Sequence, residues 1–221
     1  MKKEYIVLFD LDGTLVDSTQ AIYASFSQAY LAMNDTPPSL EQVKLGIGHT
    51  LESMFLQNGV KKQSVDEYVK HYRVAYRGLM EQGTHLLPNA KEAIILAHSF
   101  ATLGVVTTKR GDFSQILLDK LGVWEYFSSI VGIESVSSPK PHAEPILKVL
   151  EMLDKDKEIQ RDRIYMIGDT ILDIQAAKNA KIQAVGVLCG FGKKEAMQES
   201  QAPLCENTLE AVEWIRQKAL S

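Results

Sequence analysis

The sequence predicts an α/β protein: a parallel sheet built by alternating strands and helices, interrupted after its first strand by an all-helical insertion. Three observations predict it. Five short runs rich in β-branched and aromatic residues are mostly separated by stretches that place apolar residues three and four apart. The segment over about residues 19–83 carries helical periodicity and almost no strand signal. An apolar content of 45% over 221 residues is enough to bury one core and an inserted unit beside it.

Residues 5–9, Tyr-Ile-Val-Leu-Phe, form the first run and end abruptly in Asp10 and Asp12. In the insertion, Ile22, Phe26, Ala29, Tyr30 and Met33 make one helical stripe, stopped by Asn34 and the Pro37-Pro38 break. Ser39 with Gln42, and Ser64 with Glu67, match the capping box that starts a helix. The second opens a long amphipathic helix with Val65, Tyr68, Val69, Tyr72, Tyr76 and Leu79 on one face, so these tyrosines read as core. Residues 50–57, closed by Asn58-Gly59, make a shorter helix. Further strands are expected over 103–107, 129–132, 164–167 and 183–187, with helices over 91–99, 113–121, 145–153 and 171–179. Such alternation gives βαβ units. The expected division is an α/β core of residues 1–17 and 84–221 and a helical unit of residues 18–83. Neither an internal repeat nor a low-complexity segment is evident.

Composition excludes several classes. Net charge is −4, and the basic pairs Lys61-Lys62, Lys109-Arg110 and Lys193-Lys194 are scattered, so each reads as a solvated face and no nucleic-acid partner is expected. Cys189 and Cys205 lack CxxC spacing, which suits a reducing compartment and a structural role for both. The apolar run after Met1-Lys2-Lys3 is too short for a signal peptide, and no stretch could span a bilayer. A cytoplasmic protein without a membrane partner, monomeric or weakly dimeric, is the expectation.

Ligands of parallel α/β sheets gather at the carboxyl ends of the strands, and those ends are polar here. The first strand leads to Asp10 and Asp12, the second to Thr107-Thr108-Lys109, and the fourth to Gly168-Asp169 with Asp173 four residues on. Lys140, in Ser138-Pro139-Lys140-Pro141, is kept out of a helix by its prolines and placed in a stiff loop near the same edge. Each pair of carboxylates about 4 Å apart repels by about 4 kcal/mol at an effective dielectric of about 20, so a cation among them is implied. All-oxygen ligands favour Mg²⁺, and zinc is disfavoured because the five histidines show no paired spacing. A calcium loop fails, since it needs Gly at Leu15 and Glu at Ala21. Asp12-Gly13 as a plain turn explains one Asp of two, and Gly168-Asp169 also suits a helix N-cap.

Taken together, FDLDGTLVDS, VVTTK, SPKPHAEP and IGDTILDIQAAKNA resemble the four motifs of the haloacid dehalogenase superfamily, most closely its phosphoglycolate-phosphatase-like branch with a helical cap. The resemblance spans nearly the whole chain. It implies a Rossmann-like parallel sheet with helices on both faces and an all-α cap inserted after the first strand. The dehalogenases of the superfamily lack an acid at the position of Asp12, so its presence implies phosphoryl transfer. By resemblance Asp10 is the nucleophile that becomes an aspartyl phosphate, and Asp12 is the general acid and base. The metal falls to the Asp10 side chain, the Asp12 carbonyl and Asp169, with Asp173 completing or supporting the site. Thr107 and Lys140 hold the phosphoryl group. Thr108 and Lys109 lie where they could reach a substrate, Lys109 being otherwise solvated. Thr108, Ala143 and Lys181 depart from the Asn, Pro and Gly common at those places, and none removes a catalytic group.

The implied activity is Mg²⁺-dependent hydrolysis of a small phosphorylated metabolite. Pyrophosphate, nucleotide and sugar phosphates stay open as substrates, as does a phosphosugar mutase. A phospho-accepting receiver domain is disfavoured by length, by the spacing of its acids and by the place of its acceptor strand. Gly46-Ile47-Gly48-His49-Thr50, between two helices of the insertion, is the candidate substrate-facing loop, with Gly48 and His49 its candidate contacts; a plain helix–helix turn reads equally well.

Overall fold

The computed structural model describes residues 4–153 and 159–220. β1 (Tyr5–Phe9) is followed by the short β2 (Val16–Asp17) and by helices α1 (Thr19–Ala32), α2 (Leu40–Lys44), α3 (Leu51–Gln57) and α4 (Val65–Leu79), after which β3 (His85–Leu86) brings the chain back. Strand and helix then alternate through α5 (Ala90–Phe100), β4 (Ala101–Val106), α6 (Gly111–Lys120), β5 (Phe127–Val131), α7 (Glu144–Leu153), β6 (Ile164–Gly168), α8 (Ile171–Asn179), β7 (Gln183–Val187), α9 (Lys194–Glu199), β8 (Leu204–Cys205) and α10 (Thr208–Leu220).

The sheet runs β5-β4-β1-β6-β7-β8 with every neighbouring pair parallel. β1 lies between β4 and β6, with Phe9 in register with Val105 on one side and Ile167 on the other. The winding reverses at β1, which makes the crevice beyond its carboxyl end the place where such sheets bind ligands. Alternation of side chains along β1 serves two cores. Val7 and Phe9 pack with Ile94 of α5 and with Val212 and Ile215 of α10, whereas Ile6 and Leu8 pack with Ile146 and Val149 of α7 and Ala177 of α8. Both faces are covered, as an all-parallel sheet requires.

Helices α1–α4 share a third apolar cluster in which Phe26 stacks on Phe55 at 4.2 Å and Tyr30 meets Tyr68 edge-on at 5.0 Å. Fully burying one such side chain contributes about 1.5–3 kcal/mol. Phe113 and Leu117 of α6 join this cluster, so the helical layer rests on the sheet's own helices. At its two ends β2 and β3 pair antiparallel, Val16 opposite Leu86, and fasten the start of the insertion to its return.

Each expected strand and helix is present within about two residues of its expected ends. The Ser39–Gln42 capping box forms, with Ser39 N–H donating to Gln42 Oε1 at 2.8 Å. The one over Ser64 and Glu67 does not. Ser64 closes a 3₁₀ turn (Lys62–Ser64) and already has helical φ and ψ, so its backbone does not take the extended shape a capping side chain needs. The second strand also starts two residues earlier and ends one residue sooner than expected, β4 running from Ala101 to Val106. Among the described residues no helix is long and apolar enough to cross a membrane.

Candidate active site

The turn after β1 builds the first part of the site. Asp10 extends the ladder by one bond, its N–H donating to the Ile167 carbonyl at 2.9 Å. The chain then folds back on itself, with the Leu15 and Val16 N–H groups donating to the Leu11 carbonyl and Gly13 N–H donating to the Val16 carbonyl. Gly13 has φ +82°, and a Cβ there would lie 2.3 Å from Asp169 Oδ2, so only glycine brings this turn against β6.

Beyond β4 and β6 stand the other groups. Thr107 donates its N–H to the Val131 carbonyl at 3.0 Å, and its hydroxyl accepts from the Lys109 N–H at 3.1 Å. Asp169 accepts from the Thr14 hydroxyl at 3.0 Å and from the Phe191 N–H at 2.7 Å. Thr170, not Asp169, is the N-cap of α8, and Asp173 accepts both its N–H (3.0 Å) and its hydroxyl (2.7 Å) through Oδ2. The N-cap reading of Asp169 thus gives way to a carboxylate held at the strand end by partners from two other loops.

Lys140 joins these pieces. Its loop contains a cis Lys140–Pro141 peptide, and its ammonium lies 2.9 Å from Asp10 Oδ1, 2.6 Å from Asp173 Oδ1 and 3.1 Å from the Val106 carbonyl. Carboxylate oxygens of Asp10, Asp169 and Asp173 all lie within 4.8 Å of one another, and all three residues are buried. Burial, reinforced by Asp173 and opposed by Lys140, raises Asp10 to about 7. Asp169 is pushed well above the carboxylate range by burial and then by the charges of Asp10 and Asp173. Burial alone would lower Lys140, but the carboxylates of Asp10 and Asp173 reverse this and raise it. One lysine leaves the three acids undercompensated, and their donor set is entirely oxygen.

Asp12 turns away from this cluster. Its Oδ1 accepts from Lys109 Nζ at 2.8 Å and from the Ser18 hydroxyl. Lys109 also donates to Ser18 Oγ at 3.3 Å and to the Tyr76 hydroxyl at 2.5 Å. The expectation of a solvated Lys109 is therefore corrected: its side chain is 9% exposed and its three donors are taken by Asp12, Ser18 and Tyr76. Lys61, Lys62, Lys193 and Lys194 do lie exposed, as expected of scattered basic pairs. Asp12 is not among the acids whose carboxylate oxygens gather within 4.8 Å of one another.

The helical layer closes over this edge. Gly48, at φ +99°, passes so near Thr170 that a Cβ would come within 2.9 Å of its Cγ2, and its carbonyl accepts from the Thr108 hydroxyl at 3.2 Å. Thr108 thus contacts the 46–50 loop. Between the layers is a cavity of about 60 Å³ whose walls include Asp12, Gly48, His49, Tyr76, Thr108 and Lys109. Sequence reasoning missed Thr14, Ser18, Tyr76 and the Phe191 N–H. Thr14 and Ser18 lie inside the quoted DLDGTLVDS stretch, where a hydroxyl beside clustered acids was the available signal; Phe191 acts through its backbone and carries none.

Residues 7–187 match the haloacid dehalogenase-like hydrolase family. The chain is 32% identical to the phosphoglycolate phosphatase of Salmonella paratyphi A over 219 residues, covering 88% of this chain and 85% of that protein. It is 31% identical to the phosphoglycolate phosphatase of Escherichia coli O157:H7 with the same coverage. A haloacid dehalogenase-like family hydrolase from Streptococcus pneumoniae superposes with a TM-score of 0.84 at 27% identity, over 97% of this chain and 99% of that one. The motifs, the strand order and these likenesses agree: the chain belongs to the haloacid dehalogenase-like hydrolases and is a phosphatase of their phosphoglycolate-phosphatase-like branch.

Proposed function

We propose that the chain is a Mg²⁺-dependent phosphatase that hydrolyses a small-molecule phosphate monoester, phosphoglycolate-like in size, through a phosphoryl group carried on Asp10. The observation that carries the reading is the position of Lys140, one buried ammonium bonded to both Asp10 and Asp173. A carboxylate attacking a phosphate dianion meets like charge, so positive charge and positioning must supply most of the catalysis. The substrate class is supported by relatives that bear the name phosphoglycolate phosphatase.

The acidic cluster fits a hard divalent cation, because its donors are buried oxygens and their charge exceeds what Lys140 neutralises. Asp10, Asp169 and the Asp12 carbonyl would hold Mg²⁺. Asp173, bonded through both oxygens to Lys140 and Thr170, would support them. When bound, the ion supplies positive charge beside the transferring phosphoryl oxygens. Asp10 attacks phosphorus in line while the bond to the leaving oxygen breaks, and Asp12 gives that oxygen a proton. A water then attacks the phosphoryl group, Asp12 takes its proton, and the bond to Asp10 breaks to release phosphate. Lys140 and Thr107 hold the group through both steps. Residues 18–83 act as the cap that keeps bulk water out.

Turnover of p-nitrophenyl phosphate with Mg²⁺, lost with EDTA and in Asp10→Asn, is the expected result. A stable phosphoprotein that does not turn over would point to a receiver-like module. Transfer between sugar hydroxyls faster than phosphate release would point to a mutase.

A further inference from the structure

We infer that Tyr76 is a positioning residue: its hydroxyl, carried on the helical layer, seats Lys109 against Asp12, so that Asp12 is aimed at the reaction only while that layer lies closed on the sheet edge. The inference rests on the acid–base role proposed for Asp12.

Lys109 leaves β4 through Thr107 and Thr108, and its side chain runs into the space between the two layers. An ammonium has three donors and no acceptor. Here one goes to Asp12 in the first loop, one to Ser18 at the start of α1, and one to Tyr76 on α4. Tyr76 is 1% exposed and is fixed by its ring, which stacks on Tyr72 at 5.4 Å and lies 5.7 Å from Phe113. The ring thus packs in the apolar cluster that the helical layer shares with α6, while the hydroxyl at its tip reaches Lys109 beyond β4. The same three residues, Asp12, Tyr76 and Lys109, line the cavity where a leaving group would sit.

The geometry makes the aim of Asp12 conditional. Lifting the layer to admit a substrate parts Tyr76 from Lys109, as it parts Gly48 from Thr108. The ammonium then keeps Asp12 on the first loop, with Ser18 at the hinge where the layer begins, and is free to swing with Asp12 toward solvent. Closing the layer restores the third bond and fixes both side chains. A catalytic group displaced by about 1 Å can lose on the order of a hundredfold in rate, so a contact made only on closure ties proton transfer to a site sealed from water.

The experiment is a double-mutant cycle over Tyr76→Phe and Lys109→Met, with kcat and KM for p-nitrophenyl phosphate at saturating Mg²⁺ and thermal melts that place every assay well below unfolding. Tyr76→Phe keeps the ring and removes the hydroxyl. It is expected to lower kcat on the order of tenfold while KM moves less than about twofold and melting is unchanged. In the Lys109→Met background the same change is expected to add nothing, because the lysine it acts through is gone. A wild-type kcat in Tyr76→Phe, or a loss that persists undiminished beside Lys109→Met, overturns the inference. Asp12→Asn, assayed in parallel, separates the two readings: near-normal activity there removes the role of Asp12 itself, whereas an inactive Asp12→Asn beside an unaffected Tyr76→Phe overturns only the part given to Tyr76.

Discussion

Lys140 donates to Asp10 at 2.9 Å in a contact where the two side chains are 1% and 3% exposed. Both come from loops at the same rim of the sheet, one after β1 and one after β5. Breaking a buried pair by removing one partner typically costs about 3–5 kcal/mol, because the other charge stays behind unpaired. Lys140→Met is therefore expected to lose about 3 kcal/mol in urea unfolding at pH 7.5 without metal and to lower turnover at least about a hundredfold. An unchanged unfolding midpoint would show that Lys140 does not offset the charge of the acids.

The acids set a pH dependence whose sign follows from proton counting. Asp10 sits near 7 when folded and near 3.9 when unfolded, and Asp169 moves the same way, so between those values the native state binds more protons. Stability of the metal-free protein then falls as pH rises from about 4 to about 7. Asp112, which its hydrogen bonds with Arg110 hold below its usual value, contributes stability that is lost only at lower pH, outside this window. Melting with EDTA is expected several degrees lower at pH 7.5 than at pH 5. Mg²⁺ at about a hundred times its Kd should restore about 2.7 kcal/mol at the higher pH. Melts with EDTA that rise over this range contradict the cluster's electrostatics.

Asp12→Asn keeps the size of the side chain and an oxygen for Lys109 and Ser18. Fold and Mg²⁺ binding are expected to survive, while kcat falls at least about a hundredfold, the usual contribution of general acid–base groups. Steady-state kinetics beside a thermal melt checks both halves.

Gly13→Ala sets a methyl group against Asp169 Oδ2 at a backbone angle suited to glycine. Asp169 must shift, and Mg²⁺ affinity by calorimetry is expected to weaken at least about tenfold, as when supporting groups of a metal site are disturbed.

Lys181 stands just past the Ala180 C-cap of α8 with φ 58°, in the left-handed region where glycine is common. A lysine held in this region carries a cost in backbone energy that a glycine would not. Lys181→Gly is expected to stabilise the fold by about 1 kcal/mol in urea unfolding, with kcat unchanged.

The strands were legible because both faces of the sheet are covered, which makes each one a short continuous apolar run. The acids were legible because Asp10, Asp12, Asp169 and Asp173 sit within a few residues of strand ends. What the one-dimensional pattern hid is tertiary. β2 and β3 are two residues each and exist only because the ends of the insertion meet. In α10, Ala211, Val212 and Ile215 are fully buried but lie among charged residues, a narrow stripe that drew no assignment. Lys109 resembled half of a surface basic pair, and only the fold brings Asp12 and Tyr76 to it. Tyr76 shares its helical face with Tyr68 and Tyr72, so spacing cannot tell a hydroxyl that reaches the site from two that serve the core of the helical layer.

The central claim is that Asp10 carries the phosphoryl group, and borohydride reduction of the enzyme during Mg²⁺-supported turnover tests it most directly, since an acyl phosphate is reduced to the alcohol. Peptide mapping is expected to find homoserine at position 10, dependent on both substrate and Mg²⁺. Robust turnover by Asp10→Asn, with no homoserine at that position in the parent protein, would contradict the account.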